Sequence, residues 1–135
     1  MYSPFSLENK SILVTGASSG IGRSIAIECS RMGACLYLTG RNENRLLETL
    51  SLLDNRNNHT VLMADLSSAD QIDSLVDSLE GKLDGVVQCA GFTIPKPFRF
   101  ISLEDINFYC FHFFYIWSLY FFGRRLFIFR IEGSN

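Results

Sequence analysis

Two histidines and four cysteines are all the soft metal-ligand chemistry this sequence holds, and neither is clustered. Cys29, Cys35, Cys89 and Cys110 show no Cys-x-x-Cys spacing, which excludes the usual zinc patterns, so no metal ligand is assigned. The same scattered cysteines read as reduced thiols and place the chain in the cytoplasm. A formal net charge of -2 leaves no basic face, which argues against nucleic acid as a partner. The opening stretch MYSPFSLENK lacks both a basic start and an apolar stretch after it, so no secretory signal is expected. What remains is a length of 135 residues, enough for one domain with a real core.

From Lys10 to about Gln88 the sequence switches between two periods. Ile12-Leu13-Val14 is a short apolar run bounded by turn residues and predicts a buried strand. Ile21, Ile25, Cys29 and Met32 then recur at helical spacing, and Gly33 follows where a helix end favours positive φ. Cys35-Leu36-Tyr37-Leu38 predicts a second strand, and Leu46, Leu47, Leu50 and Leu53 the inner face of a second helix. Val61-Leu62-Met63 predicts a third strand, and Ser68-Ala69-Asp70-Gln71 a capping box opening a third helix. That helix carries Ile72, Leu75, Val76 and Leu79 inward, closes at Gly81, and leads to a fourth strand around Val86-Val87. Such alternation with short connections predicts an α/β fold with a parallel sheet and helices on both faces. Together with a glycine loop at its first crossover, it predicts a Rossmann type with strand order 3-2-1-4.

Between the first strand and helix lies Thr15-Gly16-Ala17-Ser18-Ser19-Gly20-Ile21-Gly22. A glycine turn there lets backbone approach a pyrophosphate, and the helix start offers free N–H groups and a positive dipole end. By position Gly16 makes the tight turn, Gly20 permits close approach and Gly22 lets the helix pack on the strand. Residues 15–22 match Thr-Gly-x-x-x-Gly-x-Gly at every fixed position. On this motif the chain resembles the short-chain dehydrogenase/reductase family over roughly residues 8 to 107. The run from Val14 to Arg23 resembles 3-oxoacyl-acyl-carrier-protein reductases and related carbonyl reductases. The resemblance implies a nicotinamide dinucleotide as partner, with Thr15, Gly16, Ser18, Ser19, Gly20, Ile21 and Gly22 around it.

It also implies roles further along. Asp65, in Ala64-Asp65-Leu66-Ser67, resembles the family aspartate that accepts a hydrogen bond from the adenine amino group, with Leu66 beside it. The plain alternative is a turn aspartate capping the next helix. Gln88-Cys89-Ala90-Gly91 occupies the place of the family's Asn-Asn-Ala-Gly beside the cofactor ribose. Ala90 and Gly91 match it, and neither asparagine is kept. Charge after the second strand decides the cofactor, because an acidic side chain there would bond the NAD ribose and repel a 2′-phosphate. This sequence has Arg41 instead, a planar donor set suited to phosphate, with Arg45 and Arg23 to add to the field. NADP(H) is therefore expected over NAD(H).

The resemblance further implies carbonyl reduction through Tyr-x-x-x-Lys with an upstream serine, the spacing that puts two side chains on one helix face. The lysines here are Lys10, Lys82 and Lys96, and four residues before them stand Ser6, Ser78 and Phe92. No catalytic residue is assigned, and Tyr120-x-x-x-Arg124 is read as coincidence. Residues 1–107 are thus expected to be the dinucleotide-binding half of such an enzyme, ending after about the fourth strand. As written, the chain is expected to lack reductase activity, to leave that strand as an aggregation-prone edge, and to have lost the family-type oligomer with the missing half.

Composition changes after Asn107. Ten of the fifteen residues from Phe108 to Phe122 are aromatic, a density that aliphatic-rich cores do not show. Read as a helix the run rises only about 22 Å, short of a hydrocarbon core of roughly 30 Å. His112 and Ser118 also interrupt it, although Arg124 and Arg125 would suit a basic flank. The reading favoured for residues 108–135 is out-of-frame translation of A/T-rich sequence. Two alternatives to a catalytically incomplete oxidoreductase stay open: a non-catalytic nucleotide-binding module, and a membrane-tethered protein anchored by residues 108–122.

Overall fold

The computed structural model describes residues 4–79, 81, 83–91 and 97–105. Strand and helix alternate in the order β1 Ser11–Thr15, α1 Gly20–Arg31, β2 Cys35–Gly40, α2 Glu43–Ser51, β3 Thr60–Met63, α3 Ala69–Ser78 and β4 Gly85–Gln88. A 3-10 turn, Phe98–Phe100, follows. All the strands pair in parallel, in the order β3-β2-β1-β4. This is the Rossmann-type sheet that the alternation and the glycine loop predict, strand order included. Because right-handed crossovers run from β1 out to β3 and then back past β1 to β4, α1 and α2 lie on one face and α3 on the other.

Side chains alternate along each strand, so neighbouring strands present one residue set to each face. Ile12, Val14, Leu36 and Leu38 bury against Ala26 of α1 and Leu46 and Leu53 of the α2 segment. Leu13 takes the other face and is buried too, as are Ile72 and Leu75 of α3. Thr15 stands in register with Thr39 on one side and Gln88 on the other. The loops at residues 16–19, 41–42, 64–68 and 89–91 therefore all leave the carboxyl edge of the sheet, where open α/β folds bind ligands.

Helix faces differ from the sequence pattern. In α1 the inner stripe is Gly22, Ala26 and Ser30, while Ile21 is 75% exposed and Met32 44%. The cause is close approach: a Cβ on Gly22 would collide with the carbonyl of Gly16, and at that distance only small residues fit beneath the helix. In α2 Leu46 and Thr49 point inward, and Leu47 is exposed. The capping box at Ser68 does not form. Ser68 is the N-cap without a side-chain bond, and Gln71 Oε1 instead accepts the Asp65 amide at 2.8 Å.

The chain divides into two compact units, residues 1–100 and 101–135. Within the second, the amide and hydroxyl of Ser102 donate to Asp105 Oδ2 at 2.9 Å, and the Asp105 amide returns a bond to Ser102 Oγ at 3.1 Å. The aromatic run 108–122, the Tyr120–Arg124 pair and the proposed anchor lie outside the described residues. Among the described residues no helix is long and apolar enough to cross a membrane.

Candidate functional site

Each glycine of the loop after β1 has its own physical cause. Gly16 has φ +65°, and a Cβ there would sit 2.7 Å from the Ala90 nitrogen and 2.8 Å from the Cys89 carbonyl carbon. Both conformation and packing require glycine. Gly20 also has positive φ (+56°), yet nothing lies within 4 Å of its missing Cβ. The space in front of Gly20 is open, and so is that in front of Gly91, across the edge of the sheet. Behind them, Gly22 seats α1 against the turn.

The start of α1 borders that opening. Among the described residues, the amides of Ser18, Ser19, Gly20, Ile21 and Gly22 make no hydrogen bond; the first helical bond runs from Arg23 N to Ser19 O. Ser19, the N-cap, contributes no side-chain bond either. Unsatisfied amides at the positive end of a twelve-residue helix form an anion site.

Arg41 directly follows β2; it is exposed and has no bonding partner among the described residues. Asn42 next to it caps α2 by accepting the Arg45 amide at 3.0 Å, which fixes where the chain turns after Arg41. Arg45 is exposed. Arg23 is different. Its guanidinium donates to Thr49 Oγ1 (2.9 Å), Ser18 O (2.7 Å), Arg45 O (3.2 Å) and Glu48 Oε2 (3.1 Å). The cation expected to add to a phosphate field is committed to the protein's own acceptors. Thr49 escaped the sequence reading altogether, although a threonine among the inward leucines of α2 was a usable signal, since buried hydroxyls need partners.

At β4 the Thr15 hydroxyl gathers the chain. It accepts the amides of Cys89 and Ala90, each at 3.1 Å, and reaches Gln88 Oε1 at 3.0 Å. Gln88, standing where the family has asparagine, thus uses its oxygen on Thr15, and its buried Nε2 has no partner among the described residues. Ala90 and Gly91 are exposed at the opening. After β3, Asp65 Oδ1 accepts the Ser67 amide (2.9 Å) and hydroxyl (2.7 Å), a tight turn that precedes α3, with Leu66 half-buried inside it. Among the described residues no group of three or more metal-ligating side chains occurs.

A sheet edge whose helix-start amides and Arg41 have no partner among the described residues, with two open glycine positions, fits a dinucleotide with its phosphates on the glycine loop. The family model for short chain dehydrogenases matches residues 10–112. The chain belongs to that family. Among short chain dehydrogenases it is 39% identical over 103 residues to glucose 1-dehydrogenase of Gluconobacter oxydans (strain 621H), covering 73% of this chain and 39% of that protein. It is 40% identical over 106 residues to 11-beta-hydroxysteroid dehydrogenase 1A of Arabidopsis thaliana, covering 75% of this chain and 30% of that one. The fold superposes on hydroxysteroid dehydrogenase from Escherichia coli with a TM-score of 0.72 at 28% identity, over 86% of this chain and 52% of that structure. The chain thus spans less than two fifths of these two relatives. Family members bind nicotinamide dinucleotides, and the residues at this edge are the ones that would hold such a group here.

Proposed function

We propose that residues 10–91 bind NADP(H) in preference to NAD(H), as the cofactor-binding part of an oxidoreductase that interconverts a carbonyl and a hydroxyl. The observation that carries this reading is the amides of Ser18 to Gly22, which make no hydrogen bond among the described residues, at the same sheet edge as the exposed Arg41 that follows β2. The amides serve the pyrophosphate common to both dinucleotides, and Arg41 serves the 2′-phosphate that only one of them has. Asp65 would take the adenine amino group, and Ala90 and Gly91 would border the ribose. The substrate is carried no further than a carbonyl–hydroxyl pair, because the relatives above are named for a sugar and a steroid, and the 3-oxoacyl-reductase likeness rests on Val14 to Arg23.

For these 135 residues the proposed activity is binding. Hydride transfer to a carbonyl needs a proton donor, and the sequence places no tyrosine four residues before a lysine. Cys29, Cys35 and Cys89 are free thiols, which supports a reducing, cytoplasmic setting. Titrating the chain with NADPH and NADH, by nicotinamide fluorescence or calorimetry, tests the reading. NADPH is expected to bind more tightly, and Arg41→Asp to reverse the order by replacing attraction with repulsion. An unchanged ratio in Arg41→Asp would make Arg41 a surface residue.

A further inference from the structure

The cation nearest the glycine loop does not face the opening, and its actual partners define a role. Ala17 and Ser18 are the loop residues between the tight turn and the helix N-cap. The carbonyl of Ala17 accepts from Thr49 Oγ1 at 2.8 Å, and the carbonyl of Ser18 accepts from Arg23 at 2.7 Å. Arg23 Nε donates in turn to Thr49 Oγ1 at 2.9 Å, so the two side chains form one connected unit. Thr49 is fully buried in α2 and the Arg23 side chain is mostly covered. A third bond, from the Ala17 amide to Thr39 O at 3.2 Å, anchors the same stretch to β2.

In a trans peptide the carbonyl of one residue and the amide of the next point in opposite directions, and no cis bond occurs among the described residues. Holding the Ala17 carbonyl toward α2 therefore turns the Ser18 amide away from α2. Holding the Ser18 carbonyl does the same for Ser19. These two amides continue the unbonded series that the helix start supplies at Gly20, Ile21 and Gly22. We infer that Arg23 and Thr49 are positioning residues: a clamp between α1 and α2 that orients the Ser18 and Ser19 amides toward the phosphates of the bound dinucleotide. Arg23 works through the loop and touches no phosphate itself. The same guanidinium bonds Arg45 O and Glu48, which ties the loop to the helix that begins just after Arg41.

This inference rests on the dinucleotide-binding reading above, and the two fail differently. The clamp serves the pyrophosphate, which both cofactors share, so its loss lowers both affinities together, whereas loss of Arg41 acts on the 2′-phosphate alone. Thr49→Val keeps shape and removes the hydroxyl's bonds to Ala17 O, Arg23 and Arg45 O. Arg23→Lys keeps the charge but not the forked donor set. Each is expected to weaken NADPH and NADH by a common factor of about tenfold, the scale of one well-placed hydrogen bond, leaving their ratio unchanged. In the unliganded chain, backbone ¹⁵N order parameters of Ser18 and Ser19 should fall in both variants. If Thr49→Val melts too early for titration, Thr49→Ser, which keeps the hydroxyl, should bind as the parent does, and Arg23→Ala carries the test. Weakening of NADPH alone in an Arg23 variant would overturn the inference by making Arg23 a direct phosphate ligand. So would unchanged affinity for both cofactors in folded Thr49→Val. If the parent chain binds neither dinucleotide, the functional reading falls, and the order parameters still decide whether the clamp orders the loop.

Discussion

The hydroxyl of Thr15 lies 3.1 Å from the amide nitrogen of Ala90, joining the end of β1 to the loop that leaves β4. The same oxygen accepts the Cys89 amide, also at 3.1 Å. One buried hydroxyl thus satisfies two backbone donors that β4 does not pair, and it holds Ala90 against Gly16. Thr15→Val preserves shape and strand preference while leaving two amides without an acceptor, each an omission of roughly 1–3 kcal/mol. Urea unfolding should show a loss of about 2 kcal/mol or more for the valine variant, with Thr15→Ser close to the parent. Equal stability of the valine and serine variants would mean that water satisfies these amides.

The glycines of the loop separate folding from binding. Gly16→Ala meets both a left-handed backbone and a Cβ 2.7 Å from the Ala90 nitrogen, so the loop must move or the domain unfold. Gly20→Ala meets only the left-handed backbone, a cost of about 1–2 kcal/mol, with open space for its methyl. That methyl would stand in the gap proposed for the pyrophosphate. Gly20→Ala should therefore fold, with a modestly lowered melting temperature, and bind neither NADPH nor NADH measurably. Gly16→Ala should show a much larger loss of stability in the same melt. Tight NADPH binding by Gly20→Ala would place the pyrophosphate elsewhere.

How much of this was readable from sequence depends on how local each cause is. The strand order was legible from the alternation together with the glycine loop at the first crossover, whereas crossover handedness alone does not say which edge each new strand joins. Gly16 and Gly22 were readable because their reasons are conformation and close approach, both encoded in spacing, and at Gly20 the structure shows a positive φ with open space. The inner face of α1 was legible only in part, because hydrophobic periodicity pointed to Ile21, Ile25, Cys29 and Met32, of which Cys29 packs on the core while Ile21 and Met32 are exposed. The glycine turn draws that helix so close that Gly22, Ala26 and Ser30 face the sheet instead. The Ser68 capping box failed because Gln71 found the Asp65 amide first. Arg23 and Thr49 stand 26 residues apart, and nothing local states that they meet.

Asp54 supplies a pH test of the connection between α2 and β3. Its carboxylate accepts the Arg56 guanidinium at 2.7 Å and, more weakly, the Arg56 amide at 3.1 Å, and these bonds hold its pKa below the ordinary aspartate value. The segment is pinned on both sides, the Asp54 amide donating to Ser30 Oγ at 3.1 Å and His59 Nε2 bonding the Asp54 carbonyl at 2.8 Å. A carboxyl whose folded pKa lies below its unfolded one stabilises the fold above the unfolded value. That contribution is lost as pH falls through the folded value. Asp54→Asn should thus be less stable than the parent at neutral pH, and the gap should narrow below pH ~4 and close once the parent's carboxyl is protonated. The difference is small, because the pair lies at the surface where solvent and salt screen it. Urea midpoints of the two chains, compared at steps from neutral to acid pH in low salt, read the effect directly. A gap that stays constant across that range would assign the loss to the turn geometry of Asp54 rather than to its charge.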